Sequence, residues 1–272
     1  MAGIGSRRQP SARAMMLTLL GEYMLPEPDD AWTSAVLATF GRLGVAEKAT
    51  RQALMRTSNA GWLRPVKDGR RTRWRLTPAA RTMLADGAER IYSFGPATEW
   101  DGHWVLVAAR VPDSDRRARH LVRTRLTWAG FGSLGPGLWI SPHPEREAEA
   151  VAVLKDAGLA DGAHVFTARR SDLGDVRSLV EQAWDLSAIE AAYVGFNAEF
   201  SAAAPRDVLT RQLELVHAWR RFPAIDPALP RELLPSKWSG ATAARLFTDR
   251  HERWLADARR EWRRLNGCAT SP

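Results

Sequence analysis

Between Trp62 and Thr77 the chain reads WLRPVKDGRRTRWRLT. Two short extended runs, Leu63–Val66 and Thr72–Thr77, flank Lys67-Asp68-Gly69-Arg70. Asp-Gly between such runs is a strong local signal for a β-hairpin. What precedes the hairpin is helical. Ala12 to Met24 puts Met16, Leu19, Leu20 and Tyr23 on one face. PEPDD, Pro26 to Asp30, breaks that helix, and Asp30 is the expected N-cap of a second helix over Ala31–Phe40, with Trp32, Val36, Leu37 and Phe40 inward. A turn at Arg42-Leu43-Gly44-Val45 leads to a third helix, Ala46–Asn59, with Thr50, Ala53, Leu54 and Thr57 inward, and Gly61 stops it. Thr77-Pro78 opens a fourth helix to about Ala88. Three helices, a hairpin and a fourth helix are the order of a winged helix-turn-helix, which places that unit at residues 12–92, behind a disordered tail over 1–11.

Charge supports this reading. The net charge is +8, and it is uneven: up to Arg90 there are 15 Lys and Arg against 8 Asp and Glu, and thereafter 24 against 23. A basic field confined to one third of a chain attracts a polyanion, most often nucleic acid. Helical spacing turns Lys48, Arg51, Gln52, Met55 and Arg56 outward on the third helix. Arginine can bond guanine bidentately in the major groove, and glutamine can bond adenine in the same way. The hairpin carries Arg64, Lys67, Arg70, Arg71, Arg73 and Arg75, suited to phosphates or to a minor groove.

Ser93 to Glu99 reads as a linker. A second pattern follows: strand Trp104–Val111, helix Asp113–Trp128, extended pieces Phe131–Leu134 and Leu138–Ser141, helix Arg146–Ala157 and strand His164–Ala168. This βαββαβ order is that of a ferredoxin-like fold over residues 100–172. Its first helix turns Leu121, Val122, Leu126 and Trp128 inward. Residues 175–268 read as all-helical, with long candidates at Trp184–Phe200, Asp207–Phe222 and Thr242–Leu265. The class is therefore α+β.

The residues argue against catalysis. The six histidines show no H-E-x-x-H pair, and the single cysteine, Cys268, supports neither a disulfide framework nor a cysteine zinc site. A lone cysteine fits a reducing cytoplasm, and no apolar run approaches the ~18 residues of a membrane span. No G-x-S-x-G elbow occurs. Gly130-x-Gly132-x-x-Gly135 has dinucleotide-turn spacing, but a helix precedes it and a strand follows, the reverse of what the pyrophosphate site needs. No cofactor and no metal are expected, and Trp128 and Trp139 are expected to pack beside the glycine turn.

The strings TLLGEYM, LGVAEKATRQALMRTSNAGWL, WDGHWVLVAARVPDSDR, LTWAGFGSLGPGLWISPH, WDLSAIEAAYVGF and RRFPAIDPALPRELLPSKWSGATAARLF resemble the PaaX-type repressors of phenylacetic acid catabolism over nearly the whole chain. The resemblance implies a cytoplasmic homodimeric transcription factor that binds palindromic double-stranded operator DNA and is released by phenylacetyl-CoA. It implies DNA contacts at Lys48, Arg51, Gln52 and Arg56 and along the wing arginines. It also implies a central domain similar to the Cas2 nuclease fold. Cas2 nucleases carry an acid at the end of the first strand, where this chain has Ala108-Ala109-Arg110-Val111, with Asp113 only after Pro112; nuclease activity is not expected. An acyl-CoA pocket should be partly apolar with cations for the phosphates, which nominates Arg220, Arg221, Lys237 and Trp238. A regulator of the same fold answering a different acyl-CoA or serving a different pathway is the alternative.

Overall fold

The structure is a computed structural model that describes residues 11–27, 30–95, 99–112, 114–202 and 207–268. The expected tail up to residue 10, part of the expected linker and Asp113 lie outside the described residues. The chain packs into two compact units: Met1–Ser93 with Phe200–Trp219 and Leu246–Pro272, and Phe94–Glu199 with Arg220–Arg245. The helices from residue 175 onward are shared between the two units.

In the first unit, α1 (Ala12–Leu19) starts where the Ser11 side chain accepts from the Ala14 amide, and it widens into a π-helical turn over Leu20–Met24. β1 (Ala31–Trp32), α2 (Thr33–Arg42), α3 (Glu47–Asn59), β2 (Leu63–Asp68), β3 (Arg71–Leu76) and α4 (Pro78–Tyr92) follow. The antiparallel sheet has the order β1-β3-β2, so Pro65 sits on an edge strand, where a missing donor is tolerated. Asp30 does not cap α2. Ala31 and Trp32 pair with Trp74 and Arg73, the helix begins at Thr33, and the Asp30 carboxylate accepts two bonds from Arg75 instead. A charge-assisted bidentate pair outcompetes a local cap.

The four α1 positions read as inward, Met16, Leu19, Leu20 and Tyr23, are wholly buried. They join a core with Phe40, Leu54, Trp74 and Leu76 that is closed by two elements distant in sequence. α9 (Val208–Trp219) supplies Leu209 and Leu213, and α11 (Gly240–Cys268) supplies Ala258 and Trp262, which stacks on Tyr23 at 5.6 Å. The expected helix Asp207–Phe222 therefore ends at Trp219, and Phe222 begins a separate short helix.

The second unit is built on β4 (His103–Ala109), β5 (Gly132–Gly135), β6 (Leu138–Ser141) and β7 (Ala163–Arg169), antiparallel in the order β5-β6-β4-β7. That is the ferredoxin-like order. α5 (Arg116–Trp128) and α6 (Glu147–Asp156) cover one face through Val122, Leu126, Val153 and Leu154 against Val105 and Val107. Asp115 caps α5 by accepting from the Ala118 amide. α7 (Val176–Ala183), α8 (Leu186–Phe200) and the short α10 (Phe222–Ile225) complete the helices, with Trp184 extended between α7 and α8 rather than opening a helix.

The glycine turn is a packing device. Gly130 and Gly137 have φ of +83° and +76°. A Cβ on Gly132 would stand 2.6 Å from the Trp184 ring and 2.7 Å from the Ala183 carbonyl oxygen, so the missing side chain lets the end of α7 reach β5. Gly132→Ala is expected to destabilise the unit by about 1–3 kcal/mol, since overpacking against backbone has no cheap relief. A lowered thermal midpoint tests it; an unchanged one would show that α7 is not held there. Of the two flanking tryptophans, Trp139 is buried at 9% exposure, but Trp128 is 51% exposed. It is the last residue of α5, turned away from the buried line of Ala118, Val122 and Leu126.

Candidate nucleic-acid interface

Two glycines frame α3. Gly44 and Gly61 take φ of +76° and +78°, which reverses the chain at each end of the helix. Thr50, Ala53, Leu54 and Thr57 are buried as their spacing predicts, and the two threonine hydroxyls donate back to the Ala46 and Ala53 carbonyls. This fixes the rotation of the helix about its axis. Lys48, Arg51, Gln52, Met55, Arg56 and Asn59 consequently project outward and line a shallow trough together with Glu47. Arg51 Nε donates to Glu47 Oε1 at 2.8 Å, an exposed pair one turn apart. Pairs of this kind are weak, about 0.2–1 kcal/mol, so a stronger acceptor can take Arg51 over.

The wing divides into two groups. Arg64, Lys67 and Arg70 are exposed along the hairpin, which turns at Gly69 with φ +56°, and Arg71, also exposed, lies 5.9 Å above the Trp32 ring. Arg73 and Arg75 are engaged in the fold. Arg73 pairs with Asp68 at 3.0 Å and lies 5.1 Å above the Trp32 ring. Arg75 bonds the nearly buried Asp30 at 2.6 and 2.8 Å, and the hydrogen bond and charge of that carboxylate raise its pKa. The spacing of the arginines gave no sign of this division, because it depends on Trp32 and Asp30.

The four residues nominated for a ligand lie in the second unit. Burial lowers the pKa of Arg220, while Arg221 and Lys237 are exposed. Trp238 is half-buried and meets Tyr193 edge to face at 5.7 Å; Tyr193 stacks on Phe222 at 4.1 Å, and Phe222 follows Arg221 directly. The aromatic stack is therefore what connects the two halves of the nominated set. Tyr193 also donates to Asp226 at 2.5 Å, and burial raises the pKa of that carboxyl despite the bond. Asp226 in turn accepts from the amide of Ala228, whose φ of +55° is unusual for a residue other than glycine. Tyr193 and Asp226 were missed from sequence, since neither belongs to a motif. At the end of β4, Ala109 is followed by Arg110. Among the described residues no group of three or more His, Cys, Asp or Glu could hold a metal ion, and no helix is long and apolar enough to cross a membrane.

A helix rotated to show cations, beside a basic two-stranded ribbon and joined to a ferredoxin-like sheet, defines the class: a winged helix-turn-helix protein with a Cas2-like second fold. Family models place it further. Residues 11–80 match the PaaX-like protein model, 97–180 the PaaX protein central Cas2-like domain, and 184–264 the PaaX-like protein C-terminal domain. The chain belongs to the PaaX family. It is 31% identical over 257 residues to the transcriptional repressor PaaX of Escherichia coli strain K12, covering 89% of this chain and 80% of that one. Among solved structures it is similar to the uncharacterized protein Rv0674 from Mycobacterium tuberculosis, with a TM-score of 0.66 at 25% identity over 93% of this chain and 99% of the other.

Proposed function

We propose that this protein is a cytoplasmic, homodimeric transcriptional repressor that binds palindromic operator DNA of an aromatic-acid (phenylacetate) catabolic operon and is released by phenylacetyl-CoA. The observation that carries the reading is the outward face of α3, where Lys48, Arg51, Gln52 and Arg56 project together from a helix whose other side is locked into the core. The name of the Escherichia coli relative supports it. Arg64, Lys67, Arg70 and Arg71 would follow the phosphates. Met55, 53% exposed among the polar residues, would contact thymine methyl groups. The protein is a regulator rather than an enzyme: Ala109-Arg110 stands where Cas2-type nucleases carry an acid. Arg220, Arg221, Lys237 and Trp238 remain the candidates for the thioester, with the Trp238–Tyr193 pair as its apolar floor.

Two titrations test this. A duplex from the protein's own promoter should bind more tightly than a scrambled duplex, with affinity falling steeply between 50 and 200 mM salt, in the range of about 10³–10⁵ for 6–10 phosphate contacts. Equal affinity for both duplexes, or a flat salt response, overturns operator binding. Phenylacetyl-CoA should raise the thermal midpoint, as any ligand of the folded state does, and weaken the complex with the promoter duplex. A shift with a different acyl-CoA alone would assign the effector to that thioester.

A further inference from the structure

α5 of the second unit reads RRARHLVRTRLTW and has thirteen residues. Five are arginines, one is histidine, and no acid lies within the helix. Ala118, Val122 and Leu126 are buried, which leaves Arg116, His120, Arg123 and Thr127 in a line along the exposed side, flanked by Arg117 and Arg119. Helical spacing puts Arg116 and Arg123 about 10 Å apart along the axis.

Two of the cations have partners. Arg125 pairs with Asp156 of α6, and Arg119 reaches the Pro112 carbonyl at 3.5 Å. No ion pair among the described residues engages Arg116, Arg117 or Arg123. The same chain treats arginines differently elsewhere. On α11, Arg253, Arg260 and Arg264 each face an acid three or four residues away, Asp249, Asp257 and Glu261. A merely solvated helix gains from such interspersed pairs, and like charges one turn apart oppose it. On α5 arginines stand one turn from one another instead: Arg116 from Arg119, and Arg119 from Arg123. Arg116 and Arg117 also occupy the first turn, where the helix dipole disfavours cations. All of these terms become favourable when a polyanion lies along the helix.

We propose that α5 is a second contact for the phosphate backbone of duplex DNA, separate from α3 and the wing. The inference rests on the reading of the protein as a DNA-binding repressor. Duplex DNA carries about one negative charge per 1.7 Å of its axis, so the exposed line faces several phosphates. Contacts to phosphate carry no sequence information, so the contact is expected to act on any sequence.

The test uses the full-length protein with Arg116→Gln, Arg117→Gln and Arg123→Gln combined. Affinity for a scrambled duplex and for the promoter duplex is measured by fluorescence anisotropy from 50 to 200 mM salt. Arg253→Gln with Arg260→Gln on α11 serves as the control. The slope of log affinity against log salt should fall by about 2–3 in the triple variant, close to 0.9 per phosphate lost, on both duplexes, and by about 1 in Arg123→Gln alone. The control slope should match the wild type. An unchanged slope in a triple variant of native thermal midpoint overturns the α5 contact and leaves operator binding standing. Wild-type protein that binds neither duplex overturns both. A triple variant that sediments as a smaller species than the wild type without DNA assigns the face to a second copy of the chain and overturns the DNA contact.

Discussion

Arg51→Ala combined with Arg56→Ala is expected to lower affinity for the promoter duplex by about 100-fold or more while the thermal midpoint stays near that of the wild type. Each arginine that bonds a guanine edge bidentately discriminates by about 1–3 kcal/mol; two such losses come to about 30-fold at the lower end of that range and pass 100-fold once each is worth about 1.4 kcal/mol. The fold does not depend on either. Both are exposed, and their core-facing neighbours Thr50, Ala53, Leu54 and Thr57 are untouched. The Arg51–Glu47 pair is more than half exposed on both sides, so its loss is screened by solvent. Affinity for a scrambled duplex should fall less, because base contacts add to the complex only where the sequence matches. Equal losses on both duplexes would place these arginines on phosphates and remove α3 from sequence reading. Arg75→Ala should show the opposite profile: a lowered thermal midpoint, because nearly buried Asp30 loses its bidentate partner, with little change in specificity.

The comparison of Arg51 with Arg75 shows where sequence periodicity is sufficient. The inward set of α3 follows from a period of 3.6 within one helix, and the Gly69 turn follows from two adjacent residues. Both depend on neighbours in sequence and both were readable. Asp30 obeyed the local signature of a helix cap, yet its partner lies 45 residues away on β3. Trp128 fell among apolar residues of α5 but is the helix's last residue and half exposed. The order of elements already ruled out a cofactor turn at Gly130-x-Gly132-x-x-Gly135, but the reason for Gly132 lies with Trp184, about fifty residues on, and is not legible locally. Likewise the division of the last hundred residues between two units depends on Leu209, Leu213, Ala258 and Trp262 packing under α1, which no local pattern announces. Charge behaved in the same way. The even total beyond Arg90 concealed a segregation: α5 is basic, while α6, packed beside it, begins with Glu147 and Glu149.

Glu22 is the residue whose replacement should destabilise the protein most. It stands in the π-helical turn after α1 with its side chain 2% exposed. Its carboxylate pairs with His251 Nε2 at 3.0 Å, accepts from Gln212 Nε2 at 2.9 Å and accepts from the Tyr92 hydroxyl. One carboxylate thus ties α1 to α4, α9 and α11 within the first unit. Glu22→Ala leaves an imidazole, an amide and a phenol without their acceptor, and Gln212 Oε1 already has no partner. Leaving buried donors without their acceptor costs about 1–3 kcal/mol for each, more where the group is charged, a large share of the about 5–15 kcal/mol that keeps a protein of ordinary stability folded. Glu22→Gln keeps the shape and should be milder. Burial alone would raise the pKa of Glu22, but the hydrogen bond and charge of His251, with the bonds from Gln212 and Tyr92, outweigh it and hold the pKa below the usual 4.5. A carboxyl with a depressed folded pKa binds its proton first in the unfolded chain, so its stabilisation is present above 4.5 and disappears as pH falls through the folded value. Urea unfolding of the wild type and Glu22→Gln should therefore differ most at neutral pH and converge in acid. A constant difference across that range would mean that Glu22 acts through packing, with its charge contributing nothing to the fold.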